Sequence, residues 1–186
     1  MLDLHIKIRD CTKCGLCKLM PFKPVPGIGP IDADIFIVGE APGKDESLVE
    51  EPFMGLCGKF LTKCLNEVGI DRKKCYITNV VKCRPTEDNK KNRPPHKSEI
   101  NACYPWLHQE LDIVKPKVIL GLGKTALQFL FNTKTGIKGN VGEIHRLDGS
   151  KVICTYHPSY ILQYGKKKQD EFILHLKKVK VLVDGI

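Results

Sequence analysis

Four short runs of mainly hydrophobic residues stand out along the chain, at residues 34–38, 76–81, 117–122 and 151–156. Each run is rich in β-branched side chains, and few polar positions interrupt it. A strand with one face in water alternates between hydrophobic and polar positions, whereas a strand covered on both faces does not. The pattern therefore predicts four strands of a parallel sheet that is buried on both faces.

Segments with a helical period separate these runs. They cover residues 58–68, 98–114, 124–131 and 169–183. Ser98 and Glu99 are predicted to cap the second helix at its start, and Pro116 follows its end. Alternating strands and helices predict an α/β fold with three layers, α/β/α, and with ligands at the carboxyl ends of the strands.

The length of 186 residues suits one well-packed domain, so we expect a single domain over residues 1–186. The proline-rich stretches 21–30 and 85–95 are predicted loops within it. The sequence shows neither a hydrophobic signal segment nor a run of transmembrane length, so we expect a soluble protein without a membrane partner. Nine cysteines in an otherwise ordinary composition favour the reducing cytoplasm over a secreted disulfide scaffold.

The formal net charge is +9, and the pI is near 9.1. Such a surplus is typical of proteins that bind a polyanion, and it also occurs on basic surfaces that have no partner. Basic residues cluster at 90–93, 166–168 and 177–180, and the first two clusters flank predicted site loops. Their position favours nucleic acid as the partner.

Four cysteines have a spacing that a bound metal or cluster explains. Cys11 and Cys14 form a C-x-x-C motif, which presents two thiolates from one tight turn. The distant Cys83 and Cys103, the latter predicted to open a helix, can complete a set of four. The spacing leaves zinc and an iron–sulfur cluster both open. Either would join three separate segments of the chain.

Polar residues follow three of the predicted strands. The first strand runs into the turn GEAPG at 39–43, whose backbone N–H groups can point at a ligand. Asn79 ends the second strand and offers a donor beside an acceptor, which matches the edge of a nucleobase. His157 ends the fourth strand, where a histidine can donate a hydrogen bond to a developing anion. Each residue has an ordinary structural alternative, and their shared position favours a site.

The third strand ends in GLGKT at 121–125, which is similar to the end of a phosphate-binding loop. Such a loop needs a glycine five positions before Gly123, where this chain has Val118. The segment therefore argues against nucleotide hydrolysis. Gly123 is predicted to allow close packing of strand and helix instead.

The motifs follow one another in a recognisable order: C-x-x-C, GEAPG, PFMG at 52–55, TNVVKCRP at 78–85, Cys103 and HPSY at 157–160. In this order, from Cys11 to about Leu162, the chain resembles the family 4 uracil-DNA glycosylases, the iron–sulfur branch of their superfamily. The resemblance implies an α/β/α fold with a short four-stranded, mainly parallel sheet. It also implies a [4Fe–4S] cluster on Cys11, Cys14, Cys83 and Cys103, with Cys17 left out.

The resemblance further implies roles for the residues at the strand ends. Phe53 would stack on a uracil turned out of DNA, Asn79 would bind its O4 and N3 edge, and His157 would face its O2. Glu46 would lie beside C5 and exclude the methyl group of thymine. The other implied site residues are Glu40 and Ala41 at the scissile nucleotide and its water, Gly43 in the uracil pocket, and Ser159, Lys166 and Lys167 on the DNA.

The chain departs from related glycosylases at three places. Ala41 stands where the best-known uracil glycosylases have an Asp that activates water. Family 4 also has Ala at this position. Catalysis is therefore expected to depend on stabilising the leaving group. Val141 and Gln163 stand where the family commonly has arginines. The basic residues expected to replace the lost phosphate contacts are Lys138, Arg146 and Lys166 to Lys168.

Uracil-containing DNA is thus the expected partner of a monofunctional glycosylase that starts base-excision repair. Three other functions stay open: a superfamily relative that binds or covalently traps uracil-DNA through a histidine such as His96, a noncatalytic DNA-binding module, and a redox protein. We expect a monomer, and we leave a sliding clamp open as a further partner.

Overall fold

The structure is a computed structural model that describes residues 1–18, 23–131 and 139–185. Within these residues one sheet has the strand order β2-β1-β3-β5-β4. Its strands are β1 (Ile35–Gly39), β2 (Cys75–Asn79), β3 (Val118–Leu122), β4 (Ile144–Leu147) and β5 (Ser150–Thr155). The first four in this order pair in parallel, and β4 runs antiparallel to β5 at the edge.

Helices cover both faces of the sheet. In the described residues they are α1 (Leu2–Arg9), α2 (Lys44–Val49), α3 (Leu56–Glu67), α4 (Lys97–Val114), α5 (Lys124–Leu130), α6 (Pro158–Tyr164) and α7 (Lys166–Asp184). Neighbouring side chains of a strand point to opposite faces. Phe36 accordingly joins a buried cluster with residues of α1, α4 and α5, whereas Ile37 joins a second cluster with residues of α3, α6 and α7. The three-layer prediction is confirmed.

The prediction of a four-stranded sheet is wrong. All four predicted runs form strands, and β4 is a fifth strand that pairs Ile144 with Ile153 and Leu147 with Ser150. Exposed and half-buried positions alternate along β4 because an edge strand is only partly covered. A four-residue segment with this pattern lacks the continuous hydrophobic run that marked the other strands.

Three helices begin earlier than predicted: α3 at Leu56, α4 at Lys97 and α7 at Lys166. His96, and not Ser98, is the N-cap of α4, because the Glu99 carboxylate accepts the His96 N–H at 2.7 Å. Cys103 therefore lies inside this helix and does not open it. α7 begins at Lys166, directly after Gly165, whose φ of 79° lets the chain turn between α6 and α7. No described helix combines the length and the apolar composition that crossing a bilayer requires.

Candidate active site

A cavity of about 580 Å³ opens at the carboxyl ends of the parallel strands. This edge of a parallel sheet is where α/β proteins bind ligands. A larger groove, of about 1210 Å³, lies beside α4 and α5, and its lining includes none of the predicted site residues. The predicted residues that line the strand-end cavity are Glu40, Ala41, Gly43, Glu46, Phe53, Asn79, His157 and Ser159.

Asn79 forms part of the inner wall of this cavity. Its side chain is buried, and its Oδ1 has no hydrogen-bond partner among the described residues. Buried polar atoms are nearly always paired, so an acceptor left over beside a cavity suits the N–H group of a ligand. Gly39 makes room for this arrangement, since a Cβ there would lie 2.5 Å from Asn79 Oδ1 and 2.5 Å from Cζ of Phe53.

Phe53 has a backbone conformation that is uncommon for a residue with a side chain. Its φ is 56°, in the left-handed region. α3 packs directly against it, because a Cβ on Gly58 would lie 1.6 Å from the Phe53 carbonyl oxygen. Arg72 Nη2 donates to the Pro52 carbonyl at 2.9 Å and fixes the turn from the other side. The Phe53 ring thereby lies 6.0 Å, centroid to centroid, from the ring of His157.

His157 caps the start of α6, and this position determines which ring nitrogen carries the proton. The backbone N–H of Ser159 donates to His157 Nδ1 at 3.2 Å, and Ser159 Oγ lies 2.8 Å from the same nitrogen. A backbone N–H is only a donor, so Nδ1 is unprotonated and Nε2 carries the hydrogen. Burial lowers the pKa of His157 to about 4. The ring is therefore neutral near pH 7 and has an Nε2–H group to donate.

Gly123 supports His157 from the opposite side. Its φ is 92°, and a Cβ there would lie 3.1 Å from Cβ of His157. Its N–H donates to the Thr155 carbonyl at 2.8 Å, which ties the start of α5 to the end of β5. The glycine predicted from the GLGKT segment to allow close packing thus lies against the chain that carries His157.

Glu40 and Ala41 line the cavity directly after β1. The Glu40 carboxylate accepts a hydrogen bond from the hydroxyl of Thr125 on α5. Sequence reasoning missed Thr125, although it belongs to the GLGKT segment. The hydrogen bond holds one carboxylate at a fixed place beside the small side chain of Ala41.

Glu46 connects two turns of the cavity wall. Its Oε2 accepts the Gly43 N–H at 3.1 Å, and its Oε1 accepts the Gly55 N–H at 3.1 Å. The first contact belongs to a capping arrangement at the start of α2. The carboxylate therefore fixes the GEAPG turn relative to the turn that carries Phe53.

The loop between β2 and α4 supplies further lining residues that the sequence did not identify, namely Asn92, Arg93 and Pro94. Arg93 pairs with Glu99 at 2.6 Å, and its N–H donates to the Pro85 carbonyl at 3.0 Å. His96 is exposed and does not line the cavity. The sequence does show a basic cluster at 90–93 with the acidic Glu99 nearby, and this pattern could have indicated the lining residues.

The residues predicted to contact DNA do not lie together. Ser159 lines the rim of the cavity, whereas Lys166 and Lys167 are exposed at the start of α7 and outside the lining. Arg146 is exposed on the edge strand β4. Lys138 lies outside the described residues.

The four predicted metal-ligating cysteines belong to one hydrophobic cluster or pack against it. Cys83 and Cys103 are buried in one hydrophobic cluster, and Cys11 and Cys14 pack against it, as does Cys17. A hydrogen bond from the Cys83 thiol lowers the pKa of Cys14 to about 6. Burial raises the pKa of Cys103 to about 11. In the described residues no three His, Cys, Asp or Glu side chains converge on a point where one metal ion would bind.

Two N–H groups point at sulfur atoms of this group. Trp106 Nε1 donates to Cys11 Sγ at 3.2 Å, and the Lys82 N–H donates to Cys103 Sγ at 3.5 Å. The Cys17 thiol instead donates to the Cys14 carbonyl at 2.9 Å. Donors to sulfur stabilise thiolates, so Cys11 and Cys103 have surroundings that suit ligands.

Comparison with known proteins decides the family. The family model described as Uracil DNA glycosylase superfamily matches residues 26–180. The chain belongs to the uracil-DNA glycosylase superfamily.

Several curated members of the superfamily are similar over most of their length. The chain is 41% identical to a type-4 uracil-DNA glycosylase of Archaeoglobus fulgidus, over 95% of this chain and 90% of that protein. It is 40% identical to a type-4 uracil-DNA glycosylase of Thermotoga maritima, over 95% of this chain and 91% of that protein. The chain is 30% identical to a type-5 uracil-DNA glycosylase of Thermus thermophilus, over 97% of this chain and 99% of that protein. Within the superfamily, the type-4 proteins are thus the more similar.

Proposed function

We propose that the protein is a uracil-DNA glycosylase, which takes uracil out of the base stack and hydrolyses its N-glycosidic bond to leave an abasic site. One observation carries the proposal beyond family membership. The unpaired Oδ1 of Asn79, the ring of Phe53 and the neutral ring of His157 share one cavity at the strand ends. These groups suit a flat base with an N–H on one edge and a carbonyl on the other.

Asn79 and Phe53 would select the base. Uracil presents an N3–H donor beside the O4 acceptor, so Asn79 Oδ1 would accept from N3 while its Nδ2 donates to O4. The face of Phe53 would stack on the base. Turning the base out of the duplex costs a few kcal/mol, and less where uracil is mispaired. Glu46 would hold the cavity wall beside C5, where the methyl group of thymine needs space, and Gly43 would leave room at the same wall.

His157 would stabilise the leaving group. When the bond between C1′ and N1 breaks, its electron pair leaves with uracil, and much of the resulting negative charge lies on O2. The Nε2–H of neutral His157 would donate to O2, and this hydrogen bond strengthens as the charge develops. Water then attacks the positively charged sugar at C1′ and becomes its hydroxyl group, and the proton that the water loses passes through solvent to the uracil anion. Ala41 has no carboxylate to activate that water, so the Glu40 carboxylate held by Thr125 would orient it.

The DNA contacts would extend beyond the cavity. Ser159 at the rim would contact the backbone next to the uracil, and the exposed Lys166 and Lys167 would bind phosphates further along. Such contacts depend strongly on salt.

We further propose that residues 1–186 form one domain, because helices on both faces cover a single sheet. The monomeric state, a sliding clamp as further partner and a cytoplasmic location stay predictions.

We also propose that Cys11, Cys14, Cys83 and Cys103 hold a [4Fe–4S] cluster. The support is a group of thiols with N–H donors at two sulfur atoms. A cubane cluster takes one thiolate on each iron, so its ligands need not converge on a single ion. The cluster would cross-link the N-terminal segment, the end of β2 and α4.

Metal analysis tests the cluster directly. Protein purified without oxygen should be brown, contain iron and inorganic sulfide, and lose its visible absorption on acid treatment. Cys83→Ser should lose iron, and Cys17→Ser is the matched control that should keep it. A colourless protein with one stoichiometric zinc would contradict the proposal, as would loss of iron in Cys17→Ser with retention in Cys14→Ser.

An excision assay tests the activity. A uracil-containing oligonucleotide treated with the protein and then with alkali should break at the uracil, and the thymine-containing control should stay whole. A denaturation-resistant adduct between protein and DNA would instead indicate a covalently trapping relative. An intact uracil strand would indicate a noncatalytic DNA-binding module.

A further inference from the structure

Three tyrosine rings form a stack beside the candidate active site. The rings of Tyr156 and Tyr160 lie 5.2 Å apart with an angle of 18°, and those of Tyr160 and Tyr164 lie 4.2 Å apart with an angle of 28°. We call these three residues the tyrosine stack. It begins one residue before His157 and follows α6 away from the cavity, so it adjoins the proposed path of the DNA.

The outer end of the tyrosine stack is exposed to solvent. Tyr160 is 37% exposed and Tyr164 is 58% exposed, whereas α6 packs on the core through Pro158 and Ile161. Tyr160 has a ring on each side, but in the described part of the chain Tyr164 has an aromatic neighbour only at Tyr160. Tyr164 is thus the most exposed of the three residues, and burial in the core does not explain its position.

Three lysines lie beside the tyrosine stack, and one of them, Lys168, pairs with Glu171 at 2.8 Å. Lys168 Nζ lies 4.5 Å from the centre of the Tyr156 ring and donates to its hydroxyl at 3.0 Å. Lys166 and Lys167 are exposed in the first turn of α7, which begins two residues after Tyr164. Lys166 pairs with Asp170 at 2.8 Å, but exposed pairs of this kind are weak enough for a phosphate to compete. The N-terminus of a long helix also attracts phosphate.

An exposed aromatic face beside lysines and a helix N-terminus is the combination that binds single-stranded nucleic acid. Bases stack on the ring whatever their sequence, and cations hold the backbone. A base inside an intact duplex has neighbours on both faces and offers no surface to stack on. We propose that Tyr164 stacks on an unpaired base near the uracil while Lys167 and the start of α7 bind the adjoining phosphate. This inference rests on the proposed function and adds a stacking contact at Tyr164 to an unpaired base near the uracil.

Binding of uracil-free DNA tests the inference separately from catalysis. The probe is a short fluorescent oligodeoxythymidylate, and the readout is anisotropy. Loss of one stacked base should raise the Kd of Tyr164→Ala by about 5- to 150-fold, while Tyr164→Phe keeps the ring and should bind like wild type. Tyr104→Ala is the matched control, because Tyr104 is also exposed and its ring contacts the ring of His108, with both residues on α4 and not on α6. It should bind like wild type.

Two further measurements define the ligand. Tyr164→Ala should leave the affinity for a uracil-free duplex unchanged. Lys167→Ala should reduce the slope of log affinity against log salt on the single strand by about 0.7, the loss of one phosphate contact. The inference would be overturned if Tyr164→Ala bound the single strand with wild-type affinity, or if it lost as much affinity for the duplex as for the single strand. An equal loss of affinity in Tyr104→Ala would overturn it as well.

Excision kinetics separate this inference from the proposed function. On a single-stranded uracil substrate, Tyr164→Ala should raise KM and keep kcat, because the stacked base lies away from the reacting bond. Wild-type protein without excision activity would refute the proposed function and leave the binding result standing. Full excision activity with unchanged KM in Tyr164→Ala would refute the tyrosine contact alone.

Discussion

Lys82 Nζ lies 2.6 Å from Oε2 of Glu110, and both side chains are almost wholly buried. The same ammonium group donates to the Asn79 carbonyl at 2.8 Å, and Glu110 also accepts the Thr78 hydroxyl at 2.9 Å. Glu110 lies on α4, seven residues after Cys103. The ion pair thus fixes the end of β2, which carries Asn79, to the helix that carries a proposed cluster ligand.

Removing the acid of this pair should be costly, because Lys82 would keep a buried charge without its partner. We expect Glu110→Gln to lower the free energy of unfolding by about 3–5 kcal/mol. Denaturant unfolding measures the change. Asp170→Asn, which breaks the exposed pair with Lys166, is the control and should cost less than about 1 kcal/mol. Similar decreases in the free energy of unfolding in the two variants would show that the buried pair does not stabilise the fold.

A methyl group on Gly39 should disturb base recognition. The added Cβ would lie 2.5 Å from both Asn79 Oδ1 and Phe53 Cζ, so one or both side chains must move. Displacements of about 1 Å in a site can cost about 10²-fold in rate, and we expect a drop of that order in single-turnover excision by Gly39→Ala. Gly15→Ala has no atom within 4 Å of its new Cβ and should keep wild-type activity. If Gly39→Ala excised uracil at the wild-type rate, the close approach of Gly39 to Asn79 and Phe53 would not be needed for base recognition.

His157 should make the largest single contribution to catalysis. A preorganised hydrogen bond to a developing anion contributes about 3–4 kcal/mol, so His157→Ala should slow single-turnover excision by about 10²–10³-fold. Binding of uracil-DNA should change little, because the bond strengthens only as charge develops on O2. The exposed His96 provides the control, and His96→Ala should excise at the wild-type rate. Rapid excision by His157→Ala would contradict the mechanism, and an adduct that depends on His96 would indicate covalent trapping.

The low pKa of His157 predicts how stability changes with pH. Between pH 4 and 6.5 an unfolded histidine binds a proton that folded His157, with a pKa of about 4, does not. The unfolded state is therefore favoured increasingly as the pH falls through this window, and the penalty is absent above it. Unfolding free energies measured from pH 4 to 7.5 should decline more steeply in wild type than in His157→Gln. Parallel curves would show that burial does not perturb this histidine.

The sequence was sufficient for the strands that are covered on both faces and for the residues at their ends. Eight predicted site residues line one cavity. Those that directly follow β1, β2 and β5 do so because the ends of parallel strands meet at one edge, whereas Glu46 and Phe53 were expected there only from the family resemblance. β4 was missed because an edge strand has no continuous hydrophobic run. Thr125 and Glu110 were missed for a different reason: their partners Glu40 and Lys82 are 85 and 28 positions away, and only the fold brings them together.

In the proposed binding mode, the unpaired Oδ1 of Asn79 would have a consequence for the fidelity of repair. Genomic DNA offers the enzyme vastly more cytosine than uracil, and cytosine presents an acceptor at N3 where uracil presents a donor. Cytosine in the cavity would leave two acceptors facing each other, with no water to separate them. Sites that require a hydrogen bond from the substrate can reject an analogue that lacks it by about 10⁴–10⁵. One buried oxygen atom would thus protect intact cytosine from excision under the proposed mechanism.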